Sequence, residues 1–293
     1  MEALSFSHRP DLRDPALVCA FSGWNDAAEA ASSAVSFLVN AFGGFEVARI
    51  DPEEFFDFTA VRPTIRLDEG RTRVIEWPAT TIHAAHIPAA ERDLVLVQGS
   101  EPSLKWRGFT DCVIEAARQL DVKLVVTLGA LLADVPHTRP VAVSGLANDQ
   151  ELIDSLGLER TSYEGPTGII GVVHDACAKA GIPSASLWAA VPHYVAAAPN
   201  PKAALALIRR FEGIAKVAVD ASSLEEAAED YDRQVNAAVA SDPEVKEFVE
   251  RLEETMDEVD EITMRPQDLP SADSIARDFQ RFLRQRRHEE GDG

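Results

Sequence analysis

A chain of 293 residues with a formal charge of −21 can bury a sizeable core, and it is too acidic to track a nucleic-acid backbone or an anionic membrane surface. No uncharged apolar run approaches the ~18 residues of a spanning helix, and the charged start, MEALSFSHRPDLRD, lacks a signal-peptide core. Cys19, Cys112 and Cys177 form an odd, scattered set without a CxxC pair, so no disulfide framework, structural zinc or other cofactor is expected, and the cytoplasm is the expected compartment.

Residues 16–21 (ALVCAF) are a continuous apolar run, as a strand buried on both faces requires. Ser22-Gly23-Trp24-Asn25-Asp26 follows. An Ala-rich stretch then predicts a helix over 27–42, stopped by Gly43-Gly44. Residues 45–50 read as a strand. Residues 64–67 and 72–77 flank Asp68-Glu69-Gly70 and predict a hairpin at a mixed sheet edge. A buried strand is expected over 93–97, ending in Gln98-Gly99-Ser100-Glu101-Pro102. A helix over 109–119 follows, with Phe109, Val113, Ala116, Ala117 and Leu120 on one face.

The next strand, 122–128, is expected to end at Gly129 and open a loop holding Asp134, His137, Thr138 and Arg139 between Pro136 and Pro140. Residues 141–146 read as a strand, and Asn148 through Glu151 as an N-cap with a capping-box Glu. Gly165-Pro166-Thr167-Gly168 precedes an apolar helix, 169–180, closed by Gly181 and Pro183. A strand over 186–191 and a helix over 201–216 complete the alternation. The expected fold is α/β: a mixed, mostly parallel sheet flanked by helices, with ligands collecting beyond the carboxyl ends of the strands.

Composition changes after residue 220. Residues 221–262 hold fifteen acidic and three basic residues, a net −12. The chain thus divides into an α/β domain, 1–220, and an acidic helical region, 221–293. Within the latter, Ser223 to Glu226 reads as a capping box, and Asp242-Pro243 as an N-cap with Pro at the first helical position. Val245, Phe248, Val249, Leu252, Met256 and Val259 mark an amphipathic helix. A linker over 265–270 leads to a last helix carrying Ile275, Phe279, Phe282 and Leu283, and the tail after Arg287 is expected to be disordered.

No P-loop, GxGxxG, GxSxG or HExxH string occurs. Four segments at strand ends remain as candidates. Gly23, Asn25 and Asp26 open a helix whose N–H groups can hold an anion, or Asn25 or Asp26 is simply its N-cap. Glu101 ends a neighbouring strand. His137 can act as a general base oriented by Asp134, with Arg139 holding a carboxylate or phosphate; alternatively Asp134 and Arg139 pair and the loop is only braced. Thr167 stands where an N-cap would, without the Lys of a phosphate cradle. His193, next to Tyr194, faces the same crevice as His137 or is packed and hydrogen-bonded. Trp106 and Trp188 read as core or interface aromatics, and Cys177 as an inert core thiol.

Gly-Trp-Asn-Asp-Ala-Ala (23–28), Gly-Ala-Leu-Leu-Ala-Asp-Val-Pro-His-Thr-Arg-Pro (129–140), Gly-Pro-Thr-Gly-Ile (165–169) and Ser-Leu-Trp-Ala-Ala-Val-Pro-His-Tyr (186–194) resemble the PAC2 family, relatives of proteasome assembly chaperone 2, in its actinobacterial branch. The likeness covers about residues 15–215. It implies an α/β sandwich similar to the phosphorylase/hydrolase-like folds, homo-oligomers, and a non-enzymatic role in proteasome assembly with proteasome subunits as partners. Proteasome-binding proteins often end in a hydrophobic-Tyr-X tail. Here the sequence closes with Glu289-Glu290-Gly291-Asp292-Gly293, so that docking route is not expected. A small-molecule enzyme or binding site around Asp134, His137 and Arg139 is the alternative, since a fold does not fix a function.

Overall fold

The computed structural model describes residues 3–68, 72–158, 163–195 and 197–262. The elements run β1 (Leu4–Phe6), β2 (Ala16–Ser22), α1 (Ala30–Ala41), β3 (Phe45–Ile50), β4 (Thr64–Asp68), β5 (Thr72–Glu76), β6 (Thr80–Ala85), β7 (Leu94–Ser100), α2 (Trp106–Gln119) and β8 (Leu124–Ala133). They continue with β9 (Val143–Ala147), α3 (Gln150–Leu156), α4 (Ile169–Ala180), β10 (Ser184–Pro192), α5 (Pro201–Ala215), α6 (Ser222–Ser241) and α7 (Pro243–Ile262). The turn at Gly70, the expected last helix and the tail after Arg287 lie outside the described residues.

Eight strands form one sheet in the order β1-β3-β6-β7-β2-β8-β10-β9. Its middle, β7-β2-β8-β10, is parallel. The four outer pairings are antiparallel. The α/β class and the mixed sheet are as expected, but the balance is corrected: four antiparallel pairings outnumber three parallel ones. The reason lies in β1 and β6, two strands that sequence patterning passed over. β1 has three residues, and β6 (TTIHAA) alternates buried and half-buried positions without a strong apolar run. The expected hairpin is present as β4–β5, but it is a separate two-stranded sheet with all ten residues exposed, not an edge of the main sheet.

The sheet buries both faces. On one, α1 and α5 place Ala34, Leu38, Leu207 and Phe211 against Val18, Leu96, Leu128 and Leu187. On the other, α2 and α4 place Phe109, Val113, Ile169 and Val173 against Leu17, Phe21, Val95 and Val125. Phe109 meets Phe21 and Phe55 edge-on at 5.4 and 5.5 Å. The three cysteines are free; Cys19 and Cys177 are buried, and burial pushes the Cys177 thiol up to about 12, in keeping with an unreactive core group.

Several local expectations give way to tertiary contacts. Gly129 does not end β8. The strand runs on to Ala133 because β10 pairs with it as far as Pro192. Gly129 lies opposite Trp188, and a Cβ there would come within 2.7 Å of the indole ring. The expected helix over 27–42 breaks into a single 3-10 turn, Ala27–Glu29, and α1. Ala28 and Glu29 have φ of 50° and 54°, a region that costs roughly 1 kcal/mol or more per residue. Asp149, not Asn148, caps α3 through Glu151 N and Leu152 N. Gly168, not Thr167, is the N-cap of α4. The capping box at Ser223 is replaced by Asp220, which accepts from the amide and hydroxyl of Ser222. Asp242 caps α7 as expected, with Pro243 at its first position.

The helix α6 lies on α5 and buries Ala228, Tyr231 and Val235; α7 turns back beside it and buries Val249. Among the described residues no helix is long and apolar enough to cross a membrane.

Candidate functional site

The candidate residues fall into two groups at the carboxyl ends of the parallel strands. The first centres on Glu101, just past β7. Its Oε1 accepts from Asn25 Nδ2 at 2.7 Å and from the Ile169 amide at 2.8 Å, so one carboxylate oxygen ties the loop after β2 to the start of α4. Asn25 is only 1% exposed, and its backbone is drawn against β8 by a 2.8 Å bond from the Ala130 amide. Gly23, at φ 129°, lets Glu101 pass: a Cβ there would lie 3.3 Å from the Glu101 Cβ. Gly168 is equally constrained, since a Cβ would overlap the Asn25 carboxamide at 2.2–2.6 Å.

Asp26 serves the start of α1. Its Oδ1 accepts from the amides of Ala31 (2.7 Å) and Ser32 (3.2 Å), and its Oδ2 from the Ser32 hydroxyl at 2.5 Å. Burial pushes its carboxyl above the usual range, and the bonds from Ser32 and Ala31 offset only part of that. A raised folded pKa means that ionisation opposes folding above that pKa, and that the penalty vanishes below the unfolded value. Asp26→Asn, whose amide can donate to a reoriented Ser32 hydroxyl, is therefore expected to be at least as stable as the parent at pH 7. Asp26→Ala is expected to lose about 2 kcal/mol. The parent should gain on Asp26→Asn as the pH falls from 7 to 4 in urea unfolding; a gap that widens the other way would refute the assignment.

A cavity of about 500 Å³ opens beside this group. Its floor is the strand pair β9–β10, where Ser144 lies opposite Trp188 and Leu146 opposite Ser186. Its wall is α4, through Gly171, His174 and Ala178. Its rim is the stretch Gly165 to Gly168 with Trp24 and Tyr163. Thr167 is exposed there. Ser186 Oγ receives the Trp188 indole N–H at 2.9 Å and lies 2.8 Å from Thr127 Oγ1. Burial holds the His174 imidazole below its usual value, and its Nδ1 lies 3.1 Å from Ser184 Oγ. Ser144, Ser186 and His174 were not among the sequence candidates. The signal for Ser186 is that it shares one face of an otherwise apolar strand with Ser184 and Trp188.

The second group surrounds His137, which is 5% exposed. Tyr194 Oη lies 2.7 Å from both the His137 amide and its Nδ1, and Asn236 Oδ1 of α6 lies 3.1 Å from Nε2. Asn236 Oδ1 can only accept, so Nε2 carries the proton of the neutral ring and Nδ1 accepts from the Tyr194 hydroxyl. Lys202 Nζ donates to the His137 carbonyl at 2.5 Å and pairs with Asp232 of α6 at 3.0 Å. Arg139 pairs with Asp257 of α7 at 2.6 and 2.8 Å, and Thr138 bonds Glu253.

His137 and Asp134 are not partners. Asp134 Oδ1 instead lies 2.9 Å from His193 Nδ1, and the His193 ring packs edge-on against Phe248 of α7. Nor does Asp134 pair with Arg139, because α7 takes the guanidinium. The acidic helices thus close over the strand-end loop and leave a void of about 20 Å³, room for roughly one water. Asn25, Asp26, Gly23, Glu101 and Thr167 share one neighbourhood, and Asp134, His137, Arg139 and His193 the other.

The PAC2 family model matches residues 20–239. A PAC2 family protein from Streptomyces avermitilis is 48% identical, with a TM-score of 0.76 over 80% of this chain and 100% of that one. A proteasome-assembly chaperone homologue from Mycobacterium tuberculosis is 46% identical, with a TM-score of 0.73 over 80% of this chain and 99% of that one. An archaeal proteasome activator from Pyrococcus furiosus shares the fold at 17% identity, with a TM-score of 0.65 over 81% of this chain and 99% of that one. No curated protein matches the sequence.

Proposed function

The chain belongs to the PAC2 family, and from that membership we propose that it is a cytoplasmic, chaperone-like protein that acts on proteasome subunits through protein–protein contacts rather than by catalysis. The observation that carries this reading is the 46% identity, over 80% of the chain, to the Mycobacterium tuberculosis proteasome-assembly chaperone homologue. Two features support it. The histidine best suited to acid–base work, His137, is held between Tyr194 and Asn236 under the acidic helices. The β4–β5 ribbon exposes Ile65, Leu67 and Ile75, and Ile65 and Ile75 are direct cross-strand partners on one face. A two-stranded ribbon is marginal alone, so an apolar face of this kind suits a contact with another subunit and supports a homo-oligomer.

The test is a pull-down with the tagged full chain from a lysate of the source organism, read by mass spectrometry. Proteasome α subunits are the expected capture. A folded, soluble bait that retains no proteasome subunit would remove this reading. Light scattering on the same bait is expected to give more than one copy, and a monomer would remove the homo-oligomer.

A further inference from the structure

The 500 Å³ cavity between β9, β10 and α4 has the size of a small-molecule site, and the chaperone reading makes no use of it. Three properties restrict what it can hold. Its shape is set by flat groups: Trp188, spread over Gly129, on the floor, and Trp24, 45% exposed, at the rim. Among the described residues its lining is close to neutral in charge. No Lys or Arg among the described residues lines it, and its one carboxylate, Asp175, is paired with Lys179 at 2.5 Å. The His174 imidazole is held neutral by burial. None of the described lining residues thus offers a phosphate or carboxylate a counter-charge.

The third property is an unused set of hydrogen-bonding groups. Asn25 is 1% exposed, and its orientation is fixed because Nδ2 must donate to the Glu101 carboxylate, which leaves Oδ1 as an acceptor; that oxygen is buried without a partner. Ser144 Oγ, on the cavity floor, is also buried without a partner. Ser186 accepts from the Trp188 indole and from the Thr127 hydroxyl, so its own proton is available to donate. Buried polar groups without partners are uncommon, and these two belong to residues that line one large cavity but are closed off from solvent, so a ligand completes them as the lining opens by a small side-chain movement.

We propose that this cavity binds a small, neutral, flat heterocycle with an amide-type edge, presenting both an N–H donor and a carbonyl acceptor. The ring stacks against the indoles, and the edge meets Asn25, Ser144 and Ser186. The site is distinct from the face covered by α6 and α7, so its failure would leave the chaperone reading standing.

Saturation-transfer NMR on the full chain, with hypoxanthine, uracil and nicotinamide as probes, tests the site. Inosine monophosphate serves as the anionic counterpart of the first. At least one neutral probe is expected to receive saturation, and the nucleotide to bind at least tenfold more weakly than hypoxanthine or not at all. Ala178 is an exposed residue of α4 that lines the cavity, so Ala178→Trp should fill it without disturbing the core, and it is expected to abolish transfer. Ser144→Ala is expected to weaken binding about five- to tenfold, and reads the site even if the Trp variant fails to fold. No transfer to any neutral probe, transfer that survives both substitutions, or equal binding of the nucleotide would each overturn the proposal.

Discussion

Glu101→Ala should cost the fold about 3 kcal/mol, whereas Glu101→Gln should cost less than about 1 kcal/mol. The difference follows from geometry. Both of Glu101's donors, Asn25 Nδ2 and the Ile169 amide, converge on one oxygen, Oε1. A glutamine retains that oxygen and can keep both bonds. An alanine leaves two buried donors without an acceptor, since Asn25 and Ile169 are 1% and 0% exposed, and each orphaned donor costs roughly 1–3 kcal/mol. Urea unfolding at pH 7 reads the difference as a change in midpoint at constant slope. Equal losses in the two variants would show instead that the negative charge at the start of α4 is what matters. No loss in either would show that Glu101 ties nothing together.

The sheet's parallel centre was legible in the sequence because burial on both faces leaves its mark there. Residues 16–21 are a continuous apolar run, and 122–128 are apolar apart from Lys123 and Thr127; they became β2 and the first half of β8. The outer strands carry no such mark. β6 gains its place from pairing with β3 on one side and β7 on the other, contacts that local patterning does not encode. Glycine misled in the opposite direction. Gly129 looked like a stop, but it is there so that Trp188, fifty-nine residues on in sequence and adjacent in the sheet, can lie flat on it.

The sites were legible only as residue types at strand ends. That Asn25, Glu101 and Gly168 meet was not, because each comes from a different crossover and nothing in the local sequence links them. The His137 environment shows the same limit: one of its partners, Asn236, lies 99 positions on, in a helix whose composition reads only as acidic and exposed. Trp188 was read as a core or interface aromatic. One edge of it is in the core, and the same ring forms the floor of an open cavity.

Tyr194→Phe should lower stability by about 2–4 kcal/mol and loosen α7, although it removes a single oxygen. That oxygen is 2.7 Å from the His137 amide and 2.7 Å from Nδ1, in a residue that is 5% exposed. Phenylalanine keeps the ring contacts with His193 and Phe248, at 5.8 and 5.7 Å, so the loss isolates the hydrogen bonds from the packing. Asn236→Ala provides the contrast. Asn236 is exposed, water can replace its oxygen, and the cost should stay below about 1 kcal/mol. The reach to α7 follows from how that helix is held. Its ion pair with Arg139 is solvent-exposed and worth about 1 kcal/mol or less, so docking rests on Val249 and on Phe248 against His193 and Tyr194. A loop that loses its anchor at His137 moves the surface on which Phe248 sits. Amide hydrogen exchange across α7 is therefore expected to speed up about tenfold in Tyr194→Phe and to stay unchanged in Asn236→Ala. Parent-like unfolding and exchange in Tyr194→Phe would mean that water takes the place of the hydroxyl, and that the helices are held without it.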